Sequence, residues 1–169
     1  MPEEILKNFG LRKEQPVAGK DYGAGVVEKI ILMPSGQWDQ YLPTLEFQKS
    51  YETGFDSASC VTFSALNCME ALYALKGEVK NFSDNFTAVD SKTKPGVGNS
   101  LRNVAESIRV TGVVDDEIYP FKKTEKDYYA SIPQSVKDKA YKLPISWEWG
   151  HGGENKSLWH KDRTAVLKK

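Results

Sequence analysis

The stretch DSASCVTFSALNCMEALYALKG, residues 56–77, decides the fold. Apolar residues recur through it at helical spacing: Val61, Ala65, Cys68, Leu72 and Leu75. This periodicity predicts an α-helix, and further apolar residues on its other faces predict that most of the helix is buried. Ser57 or Ser59 is suited to accept a backbone N–H at the start of the helix, and Gly77 is suited to end it.

Cys60 falls in the first turn of this predicted helix. The backbone N–H groups and the positive end of the helix dipole favour a thiolate there, so we expect the pKa of the thiol to be lowered. A thiolate attacks carbonyl carbons, which makes Cys60 a candidate nucleophile. The alternative is a core cysteine that serves as a small apolar residue.

Residues 59–72, SCVTFSALNCMEAL, resemble the active-site helix of papain-like cysteine peptidases, whose pattern is Gly-Ser-Cys-Trp-Ala-Phe-Ser-Ala. The identical positions are Ser59, Cys60, Phe63, Ser64 and Ala65. Val61 replaces the usual Trp and Thr62 the usual Ala. Residues 81–91 and 98–121 resemble the next two blocks of the family, in the same order.

The resemblance extends over residues 37–121. It implies an α+β fold, with a papain-like helical domain around a central buried helix, few strands and a β-rich half that is largely absent. Three segments are predicted: an irregular N-terminal arm at 1–25, the helical domain at 26–143 and the start of the β half at 144–169. Apolar and alternating patterns predict short strands at 26–32 and 143–149.

In papain-like enzymes the backbone N–H of the cysteine and a glutamine six residues earlier form the oxyanion hole. The resemblance therefore implies that Cys60 supplies both the nucleophile and one backbone donor. Gly54 stands at the position of the glutamine, and the nearest upstream glutamine is Gln48. The side-chain donor is thus absent at its expected spacing, which predicts reduced activity or a donor from another loop.

Gly98, Asn99 and Ser100 match the family's loop that runs beside the substrate backbone, so the resemblance makes them the predicted substrate-binding residues. A glycine in such a loop lets a peptide approach the chain closely. The alternative is an ordinary turn before a helix that Ser100 caps. Ser83 is likewise predicted to cap the preceding short helix.

A papain-like mechanism also needs a histidine that takes the thiol proton and an Asn or Asp that orients it. In the family this histidine follows the cysteine by roughly 130–150 residues, which places the expected base and its partner beyond residue 169. The histidines present are His151 and His160. Of these, His151, in a Gly-rich turn, is the candidate base for a compact variant.

Two function classes follow from the resemblance. The first is a papain-like thiol peptidase, or its N-terminal part, that cleaves peptide bonds through Cys60. The second is a catalytically inactive papain-like module, a structural or peptide-binding virion component, since similar compact sequences occur in bacteriophages. The expected partners are a peptide or protein substrate, a C-terminal fragment of the same protein, or other virion subunits. An unrelated α/β domain with a core cysteine is a third alternative.

Composition narrows these classes. The 169 residues include 23 basic and 23 acidic side chains, a balance that implies no nucleic-acid partner. No apolar run approaches the ~18 residues of a membrane span, and residues 1–10 do not resemble a signal peptide. We therefore expect a cytoplasmic or virion-associated protein without membrane contact. Cys60 and Cys68 lie about 12 Å apart along the predicted helix, too far for a disulfide. No metal or cofactor is expected.

Overall fold

The structure, a computed structural model, describes residues 21–23, 36–143 and 149–151, the two short ranges for their backbone. The described residues belong to two compact units, one containing 36–143 and the other containing the short ranges. In the second unit, strands β1 (Asp21–Gly23) and β2 (Trp149–His151) pair in parallel. Asp21 lies opposite Trp149 in this pair.

The helical unit contains a short 3-10 helix at Asp39–Tyr41 and five α-helices within 36–143. These are α1 (Cys60–Leu75), α2 (Asp84–Asp90), α3 (Leu101–Val110), α4 (Glu125–Tyr128) and α5 (Gln134–Lys137). Helices α1, α2 and α3 pack against one another in all three pairs. A membrane-spanning helix would need a longer apolar run than any helix in the described ranges provides.

Helix α1 is shorter than the predicted stretch, and its burial matches the predicted stripe only in part, at Val61 and Ala65. Its buried residues are Val61, Thr62, Phe63, Ala65, Leu66, Met69, Glu70 and Ala71. Cys68 and Leu72, placed on the apolar stripe by the sequence, are exposed. The packed side of α1 also includes Leu66 and Met69 from the other predicted faces, and both are almost fully buried. The predicted stop at Gly77 is confirmed: its φ is +81° and its N–H donates to Ala74 O at 2.9 Å.

The predicted cap of α1 is wrong, whereas those of α2 and α3 are confirmed. The Ser59 hydroxyl makes no cap bond and instead hydrogen-bonds the Tyr128 hydroxyl at 2.9 Å. Ser83 Oγ accepts the N–H of Phe86 at 3.0 Å, which caps α2. Ser100 accepts the N–H of Asn103 at 3.2 Å in the same way for α3. The first turn of α1 is therefore positioned by a distant side chain.

The predicted α+β class is wrong for the part of the chain that the structure describes, which is mostly helical. Within 36–143 the extended segments meet only through isolated antiparallel bridges: Lys49–Asp56, Phe82–Asp115, Lys94–Gly98 and Val113–Tyr141. Each of these pairings is one residue pair long, so no sheet forms within 36–143. At Phe82, for example, the extended segment is short because α2 begins two residues later. The predicted strand at 26–32 lies outside the described residues. His151, expected in a turn, ends β2.

Candidate functional site

Cys60 is the first residue of α1 and the one residue in the range 57–63 that is not buried. Its buried neighbours are Ser57, Ala58 and Ser59 on one side and Val61, Thr62 and Phe63 on the other. These neighbours fix the backbone on both sides of the thiol. The thiol itself, half-buried, stays within reach of solvent.

The turn before Cys60 adopts a backbone conformation that is unfavourable for its residue. Ala58 has φ +49°, in the left-handed region that a residue with a Cβ rarely adopts. The Asp56 carboxylate accepts the Ala58 N–H at 2.9 Å, and Tyr129 donates its hydroxyl to Ser57 O at 2.5 Å. Strained backbone of this kind persists where surrounding contacts hold it, and it is concentrated at functional sites.

A chain of buried hydroxyl groups supports this turn from within. Ser57 Oγ hydrogen-bonds Ser59 Oγ, which in turn hydrogen-bonds the hydroxyl of Tyr128. Tyr128 is fully buried, and burial raises the pKa of its phenol far above the usual range. Tyr128 therefore remains neutral and serves as a hydrogen-bonding support, not as a base.

The predicted lowering of the Cys60 pKa is wrong. Burial raises the pKa of the Cys60 thiol, and the nearby Asp56 carboxylate raises it further. The backbone N–H of Val61 hydrogen-bonds the sulfur and acts in the opposite direction without outweighing burial. Cys60 in this environment is a protonated thiol at neutral pH, so nucleophilic attack requires a base that takes its proton.

No histidine occurs in the sequence between residues 36 and 143. The backbone of His151 lies in β2, in the second unit, and its side chain falls outside the described residues. His160 also falls outside the described residues. The base expected beyond residue 169 stays a prediction.

At the predicted oxyanion hole, the structure brings Gln48 to the turn before Cys60. Gly54 has φ +74° and open space around its Cα. The Lys49–Asp56 bridge closes a hairpin, across which Ser57 N–H donates to Gln48 O at 3.0 Å. The Gln48 side-chain oxygen is buried and has no hydrogen-bond partner in the described part of the chain. The sequence alone does not predict this proximity, because Gln48 and the turn before Cys60 are separated along the chain.

Gly98, Asn99 and Ser100 lie together, all buried, in the loop before α3. The Asn99 amide donates to Ser91 O at 2.9 Å and to Thr93 Oγ1 at 3.1 Å. Gly98 N–H donates to Lys94 O at 2.9 Å. These polar groups hold the loop together, and the substrate-binding role predicted for the three residues stays a prediction.

The sequence did not predict a group of clustered carboxyl groups near the start of α2: Glu46, Glu70, Asp84 and Asp116. Burial raises the pKa of Glu70 to about 7 and that of Asp84 well above its usual range. The nearby carboxyls raise the pKa of Asp84 further. One feature of the sequence could have indicated this cluster: Glu70 is a charged residue within the predicted buried helix.

Comparison with known proteins gives no family assignment. No protein-family model matches the chain, and no curated protein matches it significantly. The papain-like resemblance therefore rests on the sequence pattern around Cys60 and on the two blocks that follow it.

We expect Glu70 to make the protein less stable as the pH rises from about 4.5 to about 7. The folded protein keeps a proton on Glu70 up to about pH 7, whereas the unfolded chain releases it near the ordinary glutamate pKa of 4.5. In the wild type, the Phe82 N–H donates to Glu70 Oε1 at 2.7 Å. Glu70→Gln keeps a side-chain oxygen that can accept this hydrogen bond, but the glutamine side chain does not ionise. Urea unfolding across this pH window should therefore show a smaller loss of stability in the variant.

The exposed Glu78 provides the control, since Glu78→Gln removes a carboxylate without touching the buried group. Its stability should follow the wild-type pH dependence. If the stability of Glu70→Gln also followed the wild-type pH dependence, Glu70 would not be the group that holds this proton.

Proposed function

We propose that the chain is a thiol peptidase of the papain-like kind that cleaves peptide bonds through Cys60. The observation that carries the proposal is that Cys60, the first residue of α1, is the one residue in the range 57–63 that is only partly buried. The strained turn at Ala58 and the N–H of Val61 beside the sulfur support it. A reachable sulfur with a fixed backbone is what nucleophilic attack needs.

In this mechanism a base removes the Cys60 proton and the sulfur attacks the peptide carbonyl carbon. The resulting oxyanion would be held by the backbone N–H of Cys60, and Gln48 is our candidate for a second donor in place of the residue at position 54. The amine leaves with the proton from the base, and water then hydrolyses the thioester. The base would be His151 or a residue beyond position 169.

A catalytically inactive module is the second candidate, and three observations favour it. The pKa of the Cys60 thiol is raised, residues 36–143 contain no histidine, and Gly54 replaces the family's glutamine. In that case the chain would bind a peptide, a C-terminal fragment of the same protein or another subunit, for example in a phage particle.

The rates at which the two thiols react with iodoacetamide separate these candidates. Cys60→Ser leaves Cys68, which is exposed, and Cys68→Ser leaves Cys60. A base near Cys60 would keep it partly ionised at pH 6, so the peptidase proposal predicts that Cys60 reacts about tenfold faster than Cys68 there. Mass spectrometry of quenched time points measures both rates.

The inactive-module candidate predicts the opposite order, because burial and a raised pKa slow a thiol that has no base. Repeating the reaction in urea provides the control, since both thiols should then react at similar rates. Slower reaction of Cys60 than of Cys68 in the folded protein would overturn the proposal that this chain, with His151 as its base, is an active thiol peptidase.

A further inference from the structure

A cavity of about 370 Å³ opens beside α1 and α2 in the helical unit. Phe63 of α1 and Asp84 of α2 contribute to its wall, together with Phe121 from the segment before α4. Its volume falls within the range of small-molecule sites, of roughly 300–1,000 Å³. Cys60 is not among its lining residues.

The wall of this cavity carries more negative than positive groups. Glu46, Asp84 and Asp116 line it, and so do Glu52 and Lys123, which form an ion pair at 2.5 Å. The opposite charges of that ion pair cancel each other. Lys49 is then the remaining basic side chain on the described wall, against three carboxyl groups.

Asp84 is an independent observation that points to a ligand. Its side chain is 6% exposed, and its carboxyl hydrogen-bonds that of Glu46. Even so, Asp84 Oδ1 is buried and has no hydrogen-bond partner in the described part of the chain. Buried polar atoms are almost always hydrogen-bonded, so an unpartnered oxygen on a carboxyl side chain that lines a cavity favours a ligand that carries hydrogen-bond donors.

Phe63 and Phe121 favour an organic cation as that donor, because aromatic rings attract cations and bury apolar stems. Within the described residues, no group of three or more His, Cys, Asp or Glu side chains is arranged for a metal ion. Ammonium and guanidinium groups carry several N–H donors, which match two adjacent carboxyls.

We propose that this cavity binds an organic cation, an ammonium or guanidinium group, through Asp84 and Glu46 with aromatic rings around it. The source of the cation is either a free small amine or a Lys or Arg side chain of a peptide. The inference goes beyond the proposed peptide hydrolysis and does not involve Cys60.

Cation binding is coupled to proton release at this site. Burial and neighbouring carboxyls keep a proton on Asp84, and the charged groups around the acidic cluster are Glu46, Glu70, Asp116, Glu117 and Lys122. When the cation enters, Asp84 gives its proton to solvent and the cation takes over the charge balance. Affinity for the cation should therefore rise as the pH rises.

Titration calorimetry of the full chain with N-acetyl-arginine N-methylamide tests the proposal. The citrulline analogue has the same shape without the charge, and it should bind about tenfold more weakly or less. Methylguanidinium distinguishes the sources: similar affinity identifies a free small cation, and much weaker affinity identifies a peptide side chain. Equal binding of the arginine and citrulline compounds, or no binding of any cation, would overturn the proposal.

Two variants assign the site within the chain. Asp84→Asn and Glu46→Gln remove the proposed anions while keeping side-chain shape, and each should weaken arginine binding about tenfold. Glu78→Gln is the matched control and should keep wild-type affinity, because Glu78 is an exposed carboxylate that does not line the cavity. Wild-type affinity in both Asp84→Asn and Glu46→Gln would place the binding elsewhere and overturn the proposal.

Discussion

Replacing Tyr128 with alanine should lower the free energy of unfolding by about 3–5 kcal/mol. Tyr128 is fully buried, and its ring packs against three others, with centroid distances of 5.5 Å to Phe55, 5.2 Å to Phe121 and 5.1 Å to Tyr129. Alanine would leave a cavity at this aromatic cluster and would also remove the hydroxyl that supports Ser59. Urea unfolding of the full chain measures the loss.

Tyr128→Phe separates packing from hydrogen bonding, because it keeps the ring and removes only the hydroxyl. We expect it to cost about 1–2 kcal/mol, since the buried Ser59 hydroxyl loses one partner and keeps Ser57. Tyr51→Ala is the control: Tyr51 is 75% exposed, and its loss should change stability by less than about 1 kcal/mol. Equal losses for Tyr128→Ala and Tyr51→Ala would contradict the central role of Tyr128.

Features set by neighbouring residues could be predicted from the sequence. The helix through 60–75, the caps Ser83 and Ser100 and the stop at Gly77 each depend on residues within one or two turns. The exposure of Cys68 could not be predicted in this way, because it depends on which side of α1 its helical neighbours cover. The α+β class failed for a related reason: extended segments formed single bridges, and pairing length is not encoded locally.

At the candidate site, too, some features could be predicted from the local sequence and others could not. The position of Cys60 at the start of α1 followed from helical spacing and a small polar run before it. The direction in which the pKa of Cys60 shifts could not be predicted, because burial of the thiol depends on packing around the whole first turn. The contact between Ser59 and Tyr128 spans 69 residues, and the proximity of Asp84 to Glu46 spans almost 40. No local pattern predicts either contact.

Gly112→Ala should destabilise the protein by about 4 kcal/mol or more, which is exceptional for a single methyl group. Gly112 follows α3 with φ +99°, and a Cβ there would meet the Tyr141 carbonyl group, at 2.7 Å from its carbon. That carbonyl cannot simply move away, because Val113 N–H donates to Tyr141 O and Tyr141 N–H donates to Val113 O, each at 3.0 Å. Alanine therefore has to open this bridge as well as adopt an unfavourable backbone conformation.

Gly77→Ala isolates the backbone contribution to this loss. Gly77 has a similarly positive φ of +81°, but a Cβ there would meet nothing within 4 Å. Only the left-handed conformation is then penalised, by about 1–2 kcal/mol. Urea unfolding of both variants should show that Gly112→Ala loses clearly more stability, since it adds the clash with Tyr141 to the same conformational cost. Equal losses would mean that the chain around Tyr141 shifts freely, and that the Val113–Tyr141 bridge contributes little to holding 141 against the end of α3.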